Sequence, residues 1–363
     1  MKTVSLNVIL HVITTIELGG AEKQLLTLVE RQVACGYLVH VVYLKGNPKL
    51  EGEFLKLGVT VSRARGKSPI VALGFLILYL KRNNVDLVHA HLPRAEIITA
   101  LTFSKIPFVV SRHNAESFFP TSPSFISRLL SSFVCKRANA VIAISNAVKS
   151  FLIDSREVKC SEKIKVVRYG LKSNLDTKET FLFKPTDKIM RILSIGRLVE
   201  QKDYPTTFKA LAKLIHSNLD FHYSIIGDGN LQSSLKELSE DLGIANYISW
   251  VGKTSHVNKF FDESNVFILS SKYEGFGLVI LEAMNRRTPI LASCSPAMIE
   301  VLGHNYPGLF PIGDSFSLAK LLVRCREAKF LQLLVDQANK RLMLFNPDNM
   351  AKEIESIYRE TLQ

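Results

Sequence analysis

The chain has 363 residues, of which 47% are hydrophobic and 22% are charged, and its formal net charge is +13. This composition is typical of a globular protein long enough for two domains, and it excludes a largely disordered chain. The longest apolar run, residues 70–80, is shorter than the roughly 20 residues that a membrane-spanning helix needs. We expect the apolar residues near the start to form a buried strand and not a signal peptide, because Glu17 interrupts them and no small-residue cleavage site follows.

Cysteine usage and the distribution of charge narrow the possible partners. The five cysteines are odd in number and include no CxxC pair, so the sequence predicts neither a disulfide framework nor a zinc site and fits a reducing cytoplasm. Residues 1–180 hold 25 lysines and arginines against 13 aspartates and glutamates, whereas residues 181–363 hold 21 against 20. No RNP, zinc-finger or helix-turn-helix pattern accompanies the basic half, so we expect an anionic membrane surface as its partner and not nucleic acid.

Strand-like and helical patterns alternate through the first half. A strand within residues 4–13 leads into Gly19-Gly20 and a helix, a turn that can present backbone N–H groups to a phosphate but that often serves only as a tight turn. Further strands are predicted at residues 38–44, 85–90, 108–110 and 140–144, and helices near residues 69–82, 94–103 and 124–137. This alternation predicts βαβ units and a parallel sheet.

Three histidines stand at predicted strand ends. His89 and His91 end one strand, and His113 follows another. Because they belong to separate segments, we predict that they do not form a metal site. His113 remains a candidate binding residue, since ligands bind at the carboxyl ends of strands in open α/β sheets.

The pattern of residues 125–137 predicts an amphipathic helix near the basic residues Arg128, Lys136 and Arg137. Its apolar positions are Phe125, Ile126, Leu129, Leu130 and Phe133. Most such helices in globular domains pack their apolar side inward, so we expect these side chains to face the core.

Residues 172–188 are polar and contain Pro185, which predicts a linker before a second α/β domain. After the first strand of that domain come Gly196-Arg197 and Lys202. An arginine and a lysine between a strand and a helix can bind a diphosphate, the arginine through two parallel hydrogen bonds and the lysine as a point charge. Two ordinary surface cations are the alternative.

Two further strand ends in this domain carry glycine. The strand at residues 221–226 ends in Gly227, and the strand at 248–251 is followed by Gly252 and Lys253. Glycine permits positive φ angles and close approach of the backbone to a ligand.

The stretch of residues 267–293 carries the most informative chemistry. It reads as a buried strand, the loop Glu274-Gly275-Phe276-Gly277, a helix from Leu278 with Glu282 inside it, and another strand. The free N–H groups at the start of that helix would favour an anion such as a diphosphate. With no cysteine or histidine nearby, the two carboxylates are better suited to accepting hydrogen bonds from sugar hydroxyls than to holding a metal. A solvated helix start is the alternative.

These motifs resemble those of the retaining family-4 glycosyltransferases of the GT-B fold. The loop through Met284 resembles the E-x7-E signature of that family, and Gly196-Arg197 with Lys202 resembles its G-R-L-x3-K signature. The resemblance implies an α/β protein of two Rossmann-like parallel-sheet domains facing across a cleft. Residues 1–180 would form the acceptor-side domain, residues 188–346 the donor domain, and residues 347–363 a helix returning to the first domain.

The resemblance also implies roles for single residues. Glu274 would contact the transferred sugar, Glu282 the ribose, and Arg197 with Lys202 the diphosphate. On the other domain, Gly19 and Gly20 would face the diphosphate and His113 the sugar. Further neighbours of the nucleotide would be Gly196, Gly227, Gly252, Lys253, Gly275, Phe276, Gly277 and Leu278.

The activity implied is retaining transfer of a hexose or N-acetylhexosamine from a UDP- or GDP-sugar to a glycan or lipid-linked saccharide, in bacterial surface-polysaccharide synthesis on the inner face of the cell membrane. No metal or other cofactor would be required. Two alternatives stay open: a non-catalytic nucleotide-sugar-binding subunit, and a hydrolase that uses Glu274 and Glu282 as acid and base. One departure concerns the crossover, where the family usually has Asn-Gly-Val-Asp and this chain has Tyr169-Gly170-Leu171-Lys172.

Overall fold

The computed structural model describes residues 6–64, 68–158, 160–173, 189–215 and 219–363. The chain forms two compact units, one of residues 1–172 with 345–363 and one of residues 173–344. Residues 174–188, most of the predicted linker, lie outside the described residues.

The first unit is built on a parallel sheet with strand order β3-β2-β1-β4-β5-β6-β7. Its strands are β1 (Val8–Ile13), β2 (Leu38–Tyr43), β3 (Thr60–Arg63), β4 (Leu87–His91), β5 (Phe108–Arg112), β6 (Ala140–Ala143) and β7 (Ile164–Val166). Every residue of β4, β5 and β6 is buried, as expected for strands that helices cover on both faces.

Six helices connect these strands, namely α1 (Gly20–Ala34), α2 (Glu51–Lys56), α3 (Pro69–Arg82), α4 (Pro93–Leu101), α5 (Ser124–Arg137) and α6 (Asn146–Asp154). Helix α6 begins where the Ser145 hydroxyl accepts a hydrogen bond from the Val148 N–H, a side-chain cap that satisfies one of the open donors of the first turn.

The second unit has a parallel sheet with strand order β10-β9-β8-β11-β12-β13. Its strands are β8 (Met190–Ile195), β9 (Phe221–Ile226), β10 (Ile248–Gly252), β11 (Val266–Leu269), β12 (Ile290–Ser293) and β13 (Leu309–Phe310). Its helices are α7 (Tyr204–Ile215), α8 (Gln232–Asp241), α9 (Val257–Glu263), α10 (Leu278–Asn285), α11 (Pro296–Leu302), α12 (Ser315–Arg324) and α13 (Ala328–Leu342). The prediction of two α/β parallel-sheet domains is confirmed.

The last helix, α14 (Pro347–Leu362), belongs to the first unit and packs against α1. Polar contacts fix it there: the Tyr37 hydroxyl donates to Glu355 at 2.6 Å, and Arg31 lies 2.7 Å from Asp348.

The orientation of α5 differs from the sequence prediction. Phe125, Ile126 and Leu129 are 56%, 38% and 64% exposed, so the expectation that the apolar side chains face the core is wrong for these three, whereas Leu130 and Phe133 are half-buried. The inward side instead carries Ser131 and Cys135, to which the buried Arg112 guanidinium donates at 2.8 and 3.2 Å. Because a buried charge must be paired and hydrogen-bonded, Ser131 and Cys135 turn inward together with the fully buried Val134, and Phe125 and Leu129 turn outward.

None of the helices in the described part of the chain combines the length and the apolar character that crossing a bilayer requires.

Candidate functional site

Four predicted site residues lie at one edge of the second sheet. Gly196 follows β8, Gly227 follows β9, Gly252 ends β10 and Glu274 lies in the loop after β11. These four strands are consecutive neighbours, and all of them are parallel. The fold therefore brings the four positions to the carboxyl ends of adjacent strands, where open α/β sheets bind ligands.

The centre of this edge is an ion pair between Lys202 and Glu274. The Lys202 ammonium lies 2.6 Å from Glu274 Oε1, and the two side chains are only 13% and 9% exposed. The Ser271 hydroxyl donates to the same oxygen at 2.6 Å. The Glu274 carboxylate is thus bound by a cation and a hydroxyl. The Lys202 ammonium is in turn fixed near the carboxyl ends of β8 and β11.

Gly196 makes room for that lysine. A Cβ at this position would lie 3.1 Å from Lys202 Cε, so a larger residue would have to displace the lysine chain. Gly277, at φ +85°, adopts the left-handed backbone that favours glycine, and a Cβ there would lie 2.4 Å from Met298 Cε. Packing alone therefore accounts for both glycines.

Arg197 lies beside the pair on the surface. It is exposed and donates to Gln201 Oε1 at 3.2 Å, and Gln201 in turn donates to the Tyr273 carbonyl at 3.0 Å. The guanidinium is therefore tethered next to the loop that carries Glu274. Lys253 is exposed as well and forms an ion pair with Asp228 at 2.7 Å.

The loop Gly275-Phe276-Gly277 leads into α10, which begins at Leu278. Among the described residues, no side chain caps the start of this helix, so its first N–H groups can meet an anion. Phe276 is 2% exposed, so its ring packs inside the second unit and does not face a ligand. Glu282 is half-buried inside the helix.

On the first unit, Gly19 immediately precedes α1 and Gly20 is its exposed first residue. A Cβ on Gly19 would lie 2.1 Å from a Glu22 carboxylate oxygen, and Thr15 donates to the other oxygen at 2.6 Å. Burial raises the pKa of Glu22. The glycine turn thus encloses a carboxyl group of the protein itself.

His113 follows β5 and joins a line of buried histidines. In the parallel register, His11 of β1 lies opposite His89 of β4, and His91 lies opposite Ser111 of β5. Because side chains alternate along a strand, His11, His89, His91 and Ser111 share one face of the sheet.

The rings contact each other directly. His11 Nδ1 lies 3.0 Å from His91 Nε2, and His91 Nδ1 lies 3.3 Å from His113 Nε2. His113 Nδ1 is hydrogen-bonded to the Tyr169 hydroxyl. Both ring nitrogens of His113 therefore have partners inside the first unit.

Burial keeps these rings neutral. It lowers the pKa of His11 to about 4 and that of His113 to about 3, and it lowers the pKa of His89 and His91 well below the usual value. The cause in each case is the loss of hydration that a charged imidazolium would suffer in the core.

The sequence interpretation of the histidines as unrelated is wrong in its geometry. Ligand nitrogens of His11, His89 and His91 lie within 4.8 Å of one another, which makes this a cluster that could hold a metal ion. His11 was not singled out from the sequence. The sequence shows only that His89 and His91, two residues apart on one strand, share a face. That His11 lies on the same face follows from the register between β1 and β4.

Two family models match the chain. Residues 18–173 match "Glycosyltransferase Family 4" and residues 177–322 match "Glycosyl transferases group 1". The matches follow the two α/β units, each with its polar groups at the carboxyl edge of a parallel sheet. The chain belongs to the family-4 glycosyltransferases of the GT-B fold.

Curated relatives point in the same direction. The chain is 32% identical over 181 residues to the amylovoran biosynthesis glycosyltransferase AmsK of Erwinia amylovora, a match that covers 47% of this chain and 43% of that protein. It is 27% identical to UDP-Gal:alpha-D-GlcNAc-diphosphoundecaprenol alpha-1,3-galactosyltransferase of Escherichia coli, with 77% of this chain and 75% of that protein covered. The chain spans about half the length of several curated relatives it matches, at 43%, 55% and 47%.

Among solved structures, Anabaena HepE in complex with UDP-glucose superposes with a TM-score of 0.81 at 19% identity, covering 96% of this chain and 98% of that one. At this identity the likeness shows the shared fold.

The Lys202 to Glu274 pair generates a stability prediction. Replacing Lys202 with Ala leaves the mostly buried Glu274 carboxylate without its cation, and we expect the free energy of unfolding of the second unit to fall by about 1–3 kcal/mol. Urea denaturation measures this loss.

Arg197→Ala is the matched control, because this exposed cation should change stability by less than about 0.5 kcal/mol. Adding Glu274→Gln to Lys202→Ala should recover part of the loss. Equal stability of Lys202→Ala and wild type would contradict the pair.

The lowered pKa values of these four histidines generate a prediction about the pH dependence of stability. The folded pKa values lie below the unfolded value of about 6.5, so the unfolded chain binds more protons between pH 4 and 6.5. We expect the stability that these rings provide to be complete above pH 6.5 and to decline toward pH 4, by up to about 1.4 kcal/mol per pH unit for each ring.

Comparison of wild type with His11→Gln isolates the contribution of His11 to the free energy of unfolding. Glu22, whose pKa is raised, stabilises the fold as the pH falls, but it does so equally in both proteins. Urea denaturation at pH 7.5, 6.5, 5.5 and 5 measures it. The variant should lose less stability than wild type below pH 6.5, and parallel slopes would refute neutral burial of His11.

Proposed function

We propose that the protein is a glycosyltransferase that moves a hexose or N-acetylhexosamine from a nucleotide-diphosphate sugar to a glycan or lipid-linked saccharide. The observation that carries the proposal is the Lys202 to Glu274 pair at the carboxyl edge of the second sheet. The pair places a cation, which would bind the diphosphate, in direct contact with a carboxylate, which would bind the sugar. Family membership and the functions for which the relatives are named support the proposal.

The leaving diphosphate would be stabilised by charges of the protein. Lys202, the tethered Arg197 and the uncapped start of α10 all present positive charge or N–H groups along this edge. Such preorganised groups stabilise charge that develops in the transition state. We therefore propose that transfer requires no metal ion, with UDP- or GDP-sugars as donors.

Glu274 would orient the sugar and not attack it. One of its oxygens already accepts from the Lys202 ammonium and the Ser271 hydroxyl, which reduces its nucleophilicity. We propose that the leaving phosphate deprotonates the acceptor on the same face, so that the anomeric configuration is retained. Glu282 in α10 would hold the ribose.

The acceptor is proposed to be lipid-linked. The Escherichia coli relative is named for transfer to GlcNAc-diphosphoundecaprenol, and AmsK is named for amylovoran biosynthesis. A surface-polysaccharide role for this chain would place its acceptor at the inner face of the cell membrane.

Release of nucleoside diphosphate from a panel of UDP-, GDP- and ADP-sugars, with and without lipid-linked saccharide acceptors, tests the proposal. We expect acceptor-dependent release with one donor in the absence of added metal and in the presence of EDTA. Release of free sugar without acceptor would favour the hydrolase, and binding without turnover would favour the non-catalytic subunit.

The division of labour between the two glutamates is tested in the same assay. Glu274→Gln should weaken the charge-assisted hydrogen bond to the sugar, lowering kcat/KM roughly tenfold, a difference of about 1.4 kcal/mol. Affinity for the bare nucleoside diphosphate should not fall, because the carboxylate that competes for Lys202 has lost its charge. Glu282→Gln should weaken the bare nucleotide in calorimetry. Equal losses for both ligands in both variants would refute the assignment.

An exposed apolar surface on the first unit supports membrane association. Helices α3, α4 and α5 pack side by side, and their outward side chains form what we term the apolar surface. Its members are Ile70, Val71, Leu78, Leu101, Phe103, Phe125, Ile126 and Leu129. The exposed basic residues Lys81, Arg82, Lys105 and Arg128 lie on or next to the same helices.

Apolar side chains beside basic ones suit an anionic lipid leaflet. Each lysine or arginine near such a surface contributes about 1 kcal/mol, and the attraction fades within a Debye length. A protein partner would meet the apolar surface equally well but would not require the basic border. We propose that this surface docks the enzyme on anionic lipid.

Vesicle sedimentation tests the docking surface. We expect wild type to sediment with anionic vesicles at low salt, to be released by high salt and to ignore neutral vesicles. The double change Phe125→Ser and Leu129→Ser should weaken binding at least about tenfold, since burying each side chain is worth about 1.5 kcal/mol or more. Phe316→Ser, at a residue 59% exposed on the second unit, is the matched control. Unchanged binding of the double variant, or equal binding to neutral vesicles, would refute the proposal.

A further inference from the structure

A line of hydrogen bonds runs from α1 through the first sheet to the crossover. The Gln32 side-chain oxygen lies 2.7 Å from His11 Nε2, and His11 Nδ1 lies 3.0 Å from His91 Nε2. His91 Nδ1 then contacts His113 Nε2 at 3.3 Å, and His113 Nδ1 contacts the Tyr169 hydroxyl. We term these five side chains the histidine line.

The donors and acceptors of the line are consistent in one direction. An amide oxygen can only accept, so His11 must carry its proton on Nε2, and a neutral ring then has an accepting Nδ1. His91 therefore donates from Nε2 and accepts at Nδ1. His113 in turn donates to His91 from Nε2, which leaves its Nδ1 to accept from the Tyr169 hydroxyl.

The far end is compatible with the hydroxyl as the donor there. Burial raises the pKa of Tyr169 well above its ordinary value, so the phenol keeps its proton, and the same burial keeps His113 neutral. Each ring thus donates one hydrogen bond and accepts one, so every contact along the line has one hydrogen atom between its two heavy atoms.

A second set of contacts fixes the amide that starts the line. Gln32 Nε2 donates to the Tyr358 hydroxyl of α14 at 3.4 Å, and that hydroxyl donates to His89 Nδ1 at 2.5 Å. His89 Nε2 completes the branch by donating to the Ser111 hydroxyl at 2.7 Å. With its NH2 group held by Tyr358, the amide presents its oxygen to His11. Rotating this amide by 180° would reverse every proton in the line.

We propose that Gln32, His11 and His91 are positioning residues that hold His113 as the neutral Nε2–H tautomer, whose Nδ1 accepts a hydrogen bond from the Tyr169 hydroxyl. The role in catalysis rests on the proposed function, in which the end of β5 faces the substrate. The resemblance assigned His113 a direct contact with the sugar. Since both its ring nitrogens are engaged, His113 offers no imidazole N–H or lone pair outward, and it instead orients Tyr169, the residue that replaces the family's usual asparagine.

The competing use of the cluster is a metal ion on His11, His89 and His91. These rings are completely buried, and the ring nitrogens already have partners in Gln32, Tyr358, Ser111 and each other. A divalent ion would bring two charges into the core and would break the line. A chain of hydrogen-bonded neutral rings therefore accounts for more of the contacts than a metal-bound cluster does.

Nitrogen-15 NMR of the full chain labelled at histidine tests the proposal without substrate, so its outcome is independent of whether the protein transfers sugar. The chemical shifts and two-bond couplings of each ring identify its tautomer and charge. At pH 7 we expect His11, His91 and His113 to be neutral Nε2–H tautomers in the protein as purified and after EDTA treatment. An Nδ1–H tautomer or a charged ring at any of the three, or stoichiometric bound metal by elemental analysis, would overturn it.

Two variants separate control of the tautomer from mere packing. Gln32→Leu removes the oxygen that sets the direction, so His11, His91 and His113 should become mixed tautomers together. Tyr169→Phe removes only the last donor, and the three rings should stay Nε2–H. If Gln32→Leu does not fold, Tyr358→Phe, which frees the amide to rotate, should give the same mixture.

Ser111→Ala is the matched control, because it removes a partner of His89 but of no ring in the line. Its three rings should remain as in wild type. Unchanged tautomers in a folded Gln32→Leu or Tyr358→Phe protein, or mixed tautomers in Ser111→Ala, would refute control from the Gln32 end.

Discussion

Buried polar groups must be paired, and this requirement shapes both units of the protein. In the first unit, Arg112 of β5 is 6% exposed and pairs with Glu96 at 3.1 Å while donating to Ser131 and Cys135 of α5. That pairing decides which side of α5 faces inward and therefore which side meets the surroundings. Outward Phe125 and Leu129 follow from a buried arginine. Arg112 thus helps to orient the α5 part of the apolar surface.

The same requirement explains the edge of the second sheet. Glu274 and Lys202 satisfy one another with the help of Ser271, so the loop after β11 is held before any donor arrives. A bound diphosphate would compete with the carboxylate for the ammonium, and a bound sugar would compete with the ammonium for the carboxylate. A ligand that carries both groups can satisfy both residues at once, whereas a ligand with only one group leaves the other residue short of a partner.

Much of the fold and part of the site could be predicted from the sequence. Alternating apolar strands and helices predicted both parallel sheets, and the spacing from Glu274 to Glu282 predicted the family. Which groups share the second edge follows from strand order, because Gly196, Gly227 and Glu274 all come directly after strands. The outward side of α5 could not be predicted, since it depends on Arg112, which is distant in sequence. The contacts among the histidines could not be predicted either, because they depend on the register of three strands and on how α14 packs against the first sheet.

Helix α14 completes the first unit although the whole second unit precedes it in the chain. During synthesis, α1 and the histidine face of the first sheet therefore emerge long before Tyr358, the side chain that holds Gln32 and His89. Segments that wait for a distant partner fold slowly and stay exposed to misassembly. The second unit, a continuous segment, carries no such delay. The second unit should thus become compact before the first, and the histidine face of the first sheet should be covered last.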